Sequence, residues 1–135
     1  MKALVKTEPG FGNLEILEKE IPTPSENEVK IKVHYAGICG TDVHTYESHY
    51  KVNYPVTLGH EFSGEIVEVG SNVNDFKVGD RVTSETTYYI CGECEYCKTG
   101  DYNLCNHRKG LGTQQNGGFT NYLVARAASV HKLPD

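Results

Sequence analysis

Several classes of protein are disfavoured by what this sequence lacks. No stretch of its 135 residues approaches the ~18 apolar residues that a membrane-spanning helix needs. The chain has 13 Lys and Arg against 18 Asp and Glu, and its basic residues form no cluster. Nucleic acids and membrane surfaces are therefore not expected as partners. The sequence also contains no Gly-x-Gly-x-x-Gly, so it carries no dinucleotide-binding fingerprint.

Cysteine is scarce outside one short segment. Four of the five Cys lie within residues 91–105, and an odd total suits a secreted disulfide framework poorly. We therefore expect a cytoplasmic protein whose clustered thiols bind a metal.

Short segments of alternating or β-branched residues, separated by Gly and Pro turns, predict a mainly β domain over residues 1–135. Many such segments in sequence are typical of an antiparallel barrel or sandwich. One short helix is expected at Thr41–Tyr46. The predicted strands are Lys2–Thr7, Leu14–Lys19, Glu28–Tyr35, Phe62–Val69, Arg81–Thr87 and Phe119–Ala125.

The clustered cysteines predict a structural zinc site in a lobe of about residues 90–112. Gaps of two, two and seven residues separate Cys91, Cys94, Cys97 and Cys105. Four thiolates fill the tetrahedral coordination of zinc and leave no position for a substrate. The lobe has few apolar residues, so metal binding is expected to stabilise its fold. An iron–sulfur cluster and free thiols are the alternatives, although a bacterial ferredoxin motif has a shorter last gap followed by Pro.

A second set of metal ligands is split along the chain. Cys39 lies in a Gly-Ile-Cys-Gly-Thr-Asp-Val-His segment, and His60-Glu61 follows about twenty residues later. One thiolate, one imidazole and one carboxylate, with an open position, compose a catalytic zinc site. Direct ligation by Glu61 is left open, because adjacent residues of a strand point to opposite faces. The histidines outside these motifs are expected to be structural or exposed: His34, His49, His107 and His131.

Taken in order, these motifs resemble the amino-terminal half of the zinc-dependent medium-chain dehydrogenases. The resemblance rests on Gly37–His44, Gly59–Gly64, Val78–Val82, the four-cysteine lobe, Gly117–Phe119 and Lys132–Asp135. It implies a GroES-like β-barrel with short helices, and NAD or NADP bound by a Rossmann domain that these residues do not include. The branch with sorbitol, L-iditol and L-threonine dehydrogenases is the most similar, and Arg108–Gln114 favours its polyol members. Mammalian sorbitol dehydrogenases lack the four-cysteine lobe, so microbial relatives are closer.

The resemblance also implies roles for individual residues. Cys39 and His60 would bind the catalytic zinc, with Glu61 as a ligand or close neighbour. Asp42 would hold the His60 ring through its second nitrogen. Thr41 and His44 would carry the alcohol proton toward solvent, and His44 would also contact the cofactor. On the residues alone, Thr41 could instead cap a helix, and His44 could be an ordinary surface residue.

The expected activity is oxidation of a secondary alcohol, of the polyol class, to a ketone by a zinc- and NAD(P)-dependent enzyme. An L-threonine 3-dehydrogenase activity is one alternative, and a zinc-stabilised binding module without catalysis is another. The chain by itself is expected to be inactive, because it lacks the cofactor domain. The full-length protein is expected to be a homo-oligomer that acts on a small alcohol.

Overall fold

The computed structural model describes residues 1–134, and every pairing between strands in that range is antiparallel. The final residue of the expected domain, Asp135, lies outside the described residues. Among the described residues, no helix has the length and apolar content that crossing a bilayer requires. The predicted mainly β architecture with short helices is confirmed.

Ten strands, two short α-helices and two 3₁₀ turns make up the described structure. The strands are β1 (Lys2–Lys6), β2 (Leu14–Glu18), β3 (Glu28–Gly37), β4 (Val56–Thr57), β5 (Glu61–Val69), β6 (Arg81–Ser84), β7 (Thr87–Tyr89), β8 (Lys109–Gly110), β9 (Tyr122–Arg126) and β10 (Val130–Lys132). The helices are α1 (Gly40–Tyr46) and α2 (Glu95–Thr99), and the 3₁₀ turns are Tyr102–Leu104 and Ala127–Ser129.

The largest sheet has five strands in the order β10-β6-β5-β3-β9. Its central strand pair follows the predicted alternation: Val29 and Ile31 of β3 are fully buried, while the Lys30 side chain reaches Glu68 on β5. The smaller sheets are β2-β1-β4 and β7-β8. The main core lies on one face of the five-stranded sheet and comprises Val29, Ile31, Phe62, Ile66, Val82, Leu111, Leu123, Ala125 and Val130.

The prediction of one strand over Arg81–Thr87 is wrong. The chain forms two strands in different sheets, because the edge of the large sheet ends at Ser84. The amide of Glu85 makes a last hydrogen bond to the carbonyl of Ser129 at 2.8 Å. Thr87 then pairs with Gly110 in the two-stranded sheet. This departure leads the chain out of the large sheet and into the four-cysteine lobe.

Candidate metal centres

The four sulfur atoms of the lobe converge on one point. The Sγ atoms of Cys91, Cys94, Cys97 and Cys105 all lie within 4.8 Å of one another. Cys91 Sγ lies 3.9 Å from that of Cys97 and 3.6 Å from that of Cys105. Four sulfurs at ~2.3 Å from one tetrahedral ion would be about 3.8 Å apart. The spacing therefore fits a single zinc ion, and it is too long for a disulfide, whose S–S bond is about 2.05 Å.

Three of these cysteines lie within or next to short helical segments. Helix α2 begins directly after Cys94 and carries Cys97 in its first turns. Gly100 ends the helix in the left-handed conformation, with φ of 91°. The 3₁₀ turn Tyr102–Leu104 then leads into Cys105. Neither segment contains a buried residue, so the lobe has no apolar core of its own.

The thiols of the lobe differ in acidity. Hydrogen bonds from the backbone amides of Glu93 and Cys94 lower the pKa of Cys91 to about 6. Burial raises the pKa of its neighbour Cys97 to about 12. Adjacent thiolates repel one another, so the protein alone favours ionisation of one thiol and protonation of another. A bound cation would favour ionisation of all four thiols.

The second set of ligands also comes together. One donor atom each from Cys39, His60 and Glu61 lies within 4.8 Å of the others. Cys39 immediately precedes α1, and its amide donates to Asp42 Oδ2 at 2.8 Å, which fixes the start of that helix. His60 precedes β5, so its side chain does not follow the alternation of the strand that begins at Glu61. This geometry resolves the conflict expected between adjacent residues.

A junction of glycine backbones holds His60 in place. Gly59 has φ of 92°, and its carbonyl accepts a hydrogen bond from the Gly118 amide at 2.7 Å. A Cβ added to Gly59 would lie 2.7 Å from the Phe119 amide nitrogen. A Cβ on Gly117 would lie 1.9 Å from the Gly59 carbonyl oxygen, and one on Gly112 would lie 2.8 Å from it. Only glycine permits this approach of three chain segments.

Asp42 lies beside the His60 ring. Its Oδ1 is 3.9 Å from His60 Nδ1, which is too long for a hydrogen bond. His60 Nδ1 is buried and has no hydrogen-bond partner within residues 1–134. A buried nitrogen of this kind requires a partner. The arrangement fits a metal-bound histidine, whose second nitrogen donates to a carboxylate after a small movement of either side chain.

The two residues of the expected proton path, Thr41 and His44, lie three positions apart on α1. Thr41 Oγ1 lies 3.8 Å from Cys39 Sγ, and Cys39 rather than Thr41 occupies the N-cap of α1. The side chain of His44 is 62% exposed and points to Glu47, with Nδ1 3.6 Å from Oε2. His49 Nδ1 lies 3.5 Å from the same oxygen. Thr41 thus lies beside Cys39, and His44 is exposed near Glu47 and His49.

A cleft of about 200 Å³ opens beside His60. Hydroxyl groups dominate its polar lining, which contains no carboxylate. The lining residues are Thr41, Tyr50, His60, Thr86, Arg108, Gly110, Leu111 and Thr113. Four of them belong to the segment Arg108–Gln114 that favours a polyol substrate.

With this geometry established, comparison with known proteins identifies the family. The profile of the alcohol dehydrogenase GroES-like domain matches residues 25–135. The chain belongs to this GroES-like family. A sorbitol dehydrogenase of Halalkalibacterium halodurans is 66% identical over 99% of this chain, which covers 39% of that protein. A D-arabitol-phosphate dehydrogenase of Enterococcus avium is 57% identical over all of it, again covering 39% of the relative.

The solved structures agree with the family assignment. An alcohol dehydrogenase of Escherichia coli CFT073, crystallised with NADH, has a TM-score of 0.90 and 42% identity. The match covers 100% of this chain and 39% of that one. The chain thus spans about two fifths of the length of the relatives that it matches.

Two features of this GroES-like domain lie beyond sequence reasoning. Tyr50 reaches the cleft from the segment that follows α1, and no motif marks it. His49 approaches Glu47 because the chain reverses at Ser48, whose φ is 66°. The spacing of His44 and His49 in the sequence is only a weak signal that both approach Glu47. The chain reversal at Ser48 involves a hydrogen bond from the amide of Gly10, a residue distant in the sequence, to Ser48 Oγ at 3.0 Å.

Substituting Gly59 by Ala in this GroES-like domain should lower the free energy of unfolding by about 3 kcal/mol or more. A non-glycine residue at positive φ costs about 1–2 kcal/mol, and overpacking adds about 1–3 kcal/mol. Gly79→Ala is the matched control, because Gly79 has φ of 93° but no atom within 4 Å of an added Cβ. Denaturant unfolding of both variants measures the difference, and equal destabilisation would contradict the proposed crowding at Gly59.

Proposed function

We propose that this chain is the catalytic domain of a zinc-dependent NAD(P) oxidoreductase, which oxidises a secondary alcohol of polyol type to a ketone. The observation that supports this most directly is the convergence of Cys39, His60 and Glu61 beside a hydroxyl-lined cleft. Three protein donors leave one coordination position for a substrate. A binding module that uses zinc only for stability has no need of such an open site.

The two metal centres have different roles in this proposal. Cys91, Cys94, Cys97 and Cys105 hold a structural zinc, whereas Cys39, His60 and Glu61 hold the catalytic one. A zinc ion at the second centre would polarise the substrate oxygen and lower the pKa of the alcohol. The buried Asp42 carboxylate next to His60 would orient the imidazole once a small movement brings the two into hydrogen-bond contact.

The chain's own residues supply substrate contacts and a route for the proton. The Thr41 hydroxyl, adjacent to the Cys39 sulfur, accepts the alcohol proton and passes it outward. The exposed imidazole of His44 transfers the proton to solvent and contacts the cofactor. Hydroxyl groups of Tyr50 and Thr113 in the cleft bind the remaining substrate hydroxyls. The positions of Thr41, Tyr50 and Thr113 support their assignments, and the role of His44 is the one that the resemblance implies.

Hydride transfer requires NAD or NADP, which we assign to a Rossmann domain outside these residues. The relatives that the chain matches are more than twice its length, and the sequence itself carries no dinucleotide fingerprint. A homo-oligomeric, cytoplasmic enzyme belongs to the same proposal. One relative is a sorbitol dehydrogenase and another is a D-arabitol-phosphate dehydrogenase, so neutral and phosphorylated polyols are both candidate substrates.

The metal content of the purified protein tests this function. Two zinc ions per chain are expected, and His60→Ala should leave one. Mild chelation should remove the ion at Cys39 and His60 first, because that centre is open, while four thiolates enclose the other. Elemental analysis during a chelator titration measures both. His34→Ala, which removes an exposed histidine outside the centre, should keep two ions. A single zinc in the unmodified protein, or release of both ions at equal rates, would contradict the proposal.

A further inference from the structure

Arg108 places a guanidinium group in the wall of the cleft that contains His60. Its Nε donates to Thr87 Oγ1 at 2.9 Å, and its Nη2 donates to Thr86 Oγ1 at 2.7 Å. Both threonines lie at or beside the start of β7, which pairs with β8 immediately after Arg108. The side chain is therefore fixed at two points. An arginine has five N–H donors, so three of them are left for another partner.

Arg108 is one of the residues that line the cleft beside His60. A Cβ built on Gly110 would lie 3.6 Å from Arg108 Nη1, so the Gly110 backbone lies close to the guanidinium. Within residues 1–134, no Asp or Glu forms a salt bridge with Arg108. The cleft lining contains no carboxylate either. The positive charge of Arg108 is thus held in a defined orientation, without a salt bridge to any residue that the structure describes.

We propose that Arg108 forms an anion subsite that selects phosphorylated polyols over neutral ones. This inference rests on the proposed function, which places the reacting hydroxyl at His60. A planar guanidinium with adjacent free N–H groups matches the oxygens of a phosphate monoester. A polyol phosphate would then lie across the cleft, with its reacting carbon near His60 and its phosphate on Arg108. The hydroxyls of Thr41, Tyr50 and Thr113 suit the polyol chain between them.

Sorbitol and sorbitol 6-phosphate test this subsite, since they differ only in the phosphate. Calorimetry or NMR titration of the zinc-loaded protein measures binding without requiring turnover. The unmodified protein should bind the phosphate ester at least about tenfold more tightly than sorbitol. Arg108→Gln should weaken binding of the ester about ten- to hundredfold, which is the usual range for hydrogen bonds to a charged group. Binding of sorbitol should change less than twofold.

Lys109→Gln is the matched control, because it removes one positive charge from the adjacent residue. The Lys109 ammonium lies 5.5 Å from the ring centre of Tyr89, outside the cleft lining. This variant should bind the ester as the unmodified protein does. Arg108→Lys, which keeps the charge and loses the planar fork, should give an intermediate loss. The Arg108→Lys variant also tests the subsite if Arg108→Gln does not fold. Two zinc ions per chain in a variant show that its metal centres are intact.

The outcomes separate this inference from the proposed function. Equal binding of sorbitol and its phosphate, or equal losses in Arg108→Gln and Lys109→Gln, would overturn the subsite. A selective loss of L-threonine binding in Arg108→Gln would also overturn it, in favour of a carboxylate substrate. If the ester binds through Arg108 but neither polyol is oxidised by the complete protein with NAD or NADP, the subsite stands and the proposed function fails.

Discussion

Turnover by the complete, cofactor-binding protein should fall at least about a thousandfold when Cys39 or His60 is replaced by Ala. Each substitution removes one of only three donors from the open metal centre. Polarisation by a metal ion contributes several kcal/mol of transition-state stabilisation, and about 4 kcal/mol corresponds to a thousandfold in rate. Steady-state oxidation of polyols with NAD or NADP, combined with zinc analysis, measures the effect.

His34→Ala serves as the control for these variants, since His34 is exposed on β3 and belongs to neither metal centre. Its activity should equal that of the unmodified protein. The 135-residue chain alone should produce no NADH even when loaded with zinc. Hydride transfer needs the nicotinamide within ~3–3.5 Å of the substrate carbon, and this chain has no fingerprint with which to hold the cofactor. A His60→Ala variant that lacks the second zinc yet keeps a tenth of the activity would refute the assignment.

Replacing Cys94 by Ser, or removing all zinc with a strong chelator, should unfold residues 90–108 while the five-stranded sheet persists. Helix α2 and the following 3₁₀ turn bury no residue, so metal binding is their main source of stability. Structural zinc in small domains binds with an apparent ~10–16 kcal/mol, which greatly exceeds what these exposed segments can gain by packing. Hydrogen exchange followed by mass spectrometry should show loss of protection confined to this segment.

The core explains why the rest of the domain should survive that loss. Its buried residues come from β3, β5, β6, β9 and β10, and from Leu111, all outside residues 90–108. Cys39→Ser is the control, because it removes one thiol from the other centre and should leave the lobe protected. Unchanged proteolysis of residues 90–108 after complete removal of zinc would refute metal-dependent folding of the lobe.

The sequence predicts the elements that depend only on residues close together in the chain. The alternation of Val29 to Val33 places β3 and its buried face correctly, and the spacing of the four cysteines matches the convergence of their sulfurs. The break at Glu85 follows from a different cause. Val and Thr residues favour β structure on both sides of the break, but the pairing of β10 with β6 ends at Ser84. Pairing of that kind depends on residues distant in the sequence.

In the candidate site, too, the sequence predicts the identity of the residues but not how they are arranged in space. Ligand types and motifs predict Cys39, His60 and Glu61, whereas their mutual distances depend on how Gly59 packs against Gly112 and Gly117. Arg108 is visible in the sequence only as part of a segment typical of polyol dehydrogenases. Its place in the cleft comes from Thr86 and Thr87, which no sequence pattern links to it. Long-range packing therefore decides which of the marked residues share a site.

The lobe joins the domain through two neighbouring strands, and this bears on how such domains vary. Thr87 pairs with Gly110 and Tyr89 with Lys109, so residues 90–108 leave and re-enter at almost the same place. A segment whose ends are adjacent can be lost or gained as a unit, since a short turn closes the same hairpin at small entropic cost. Loss of this segment could therefore leave the sheets in place, but it would remove Arg108 from the wall of the cleft.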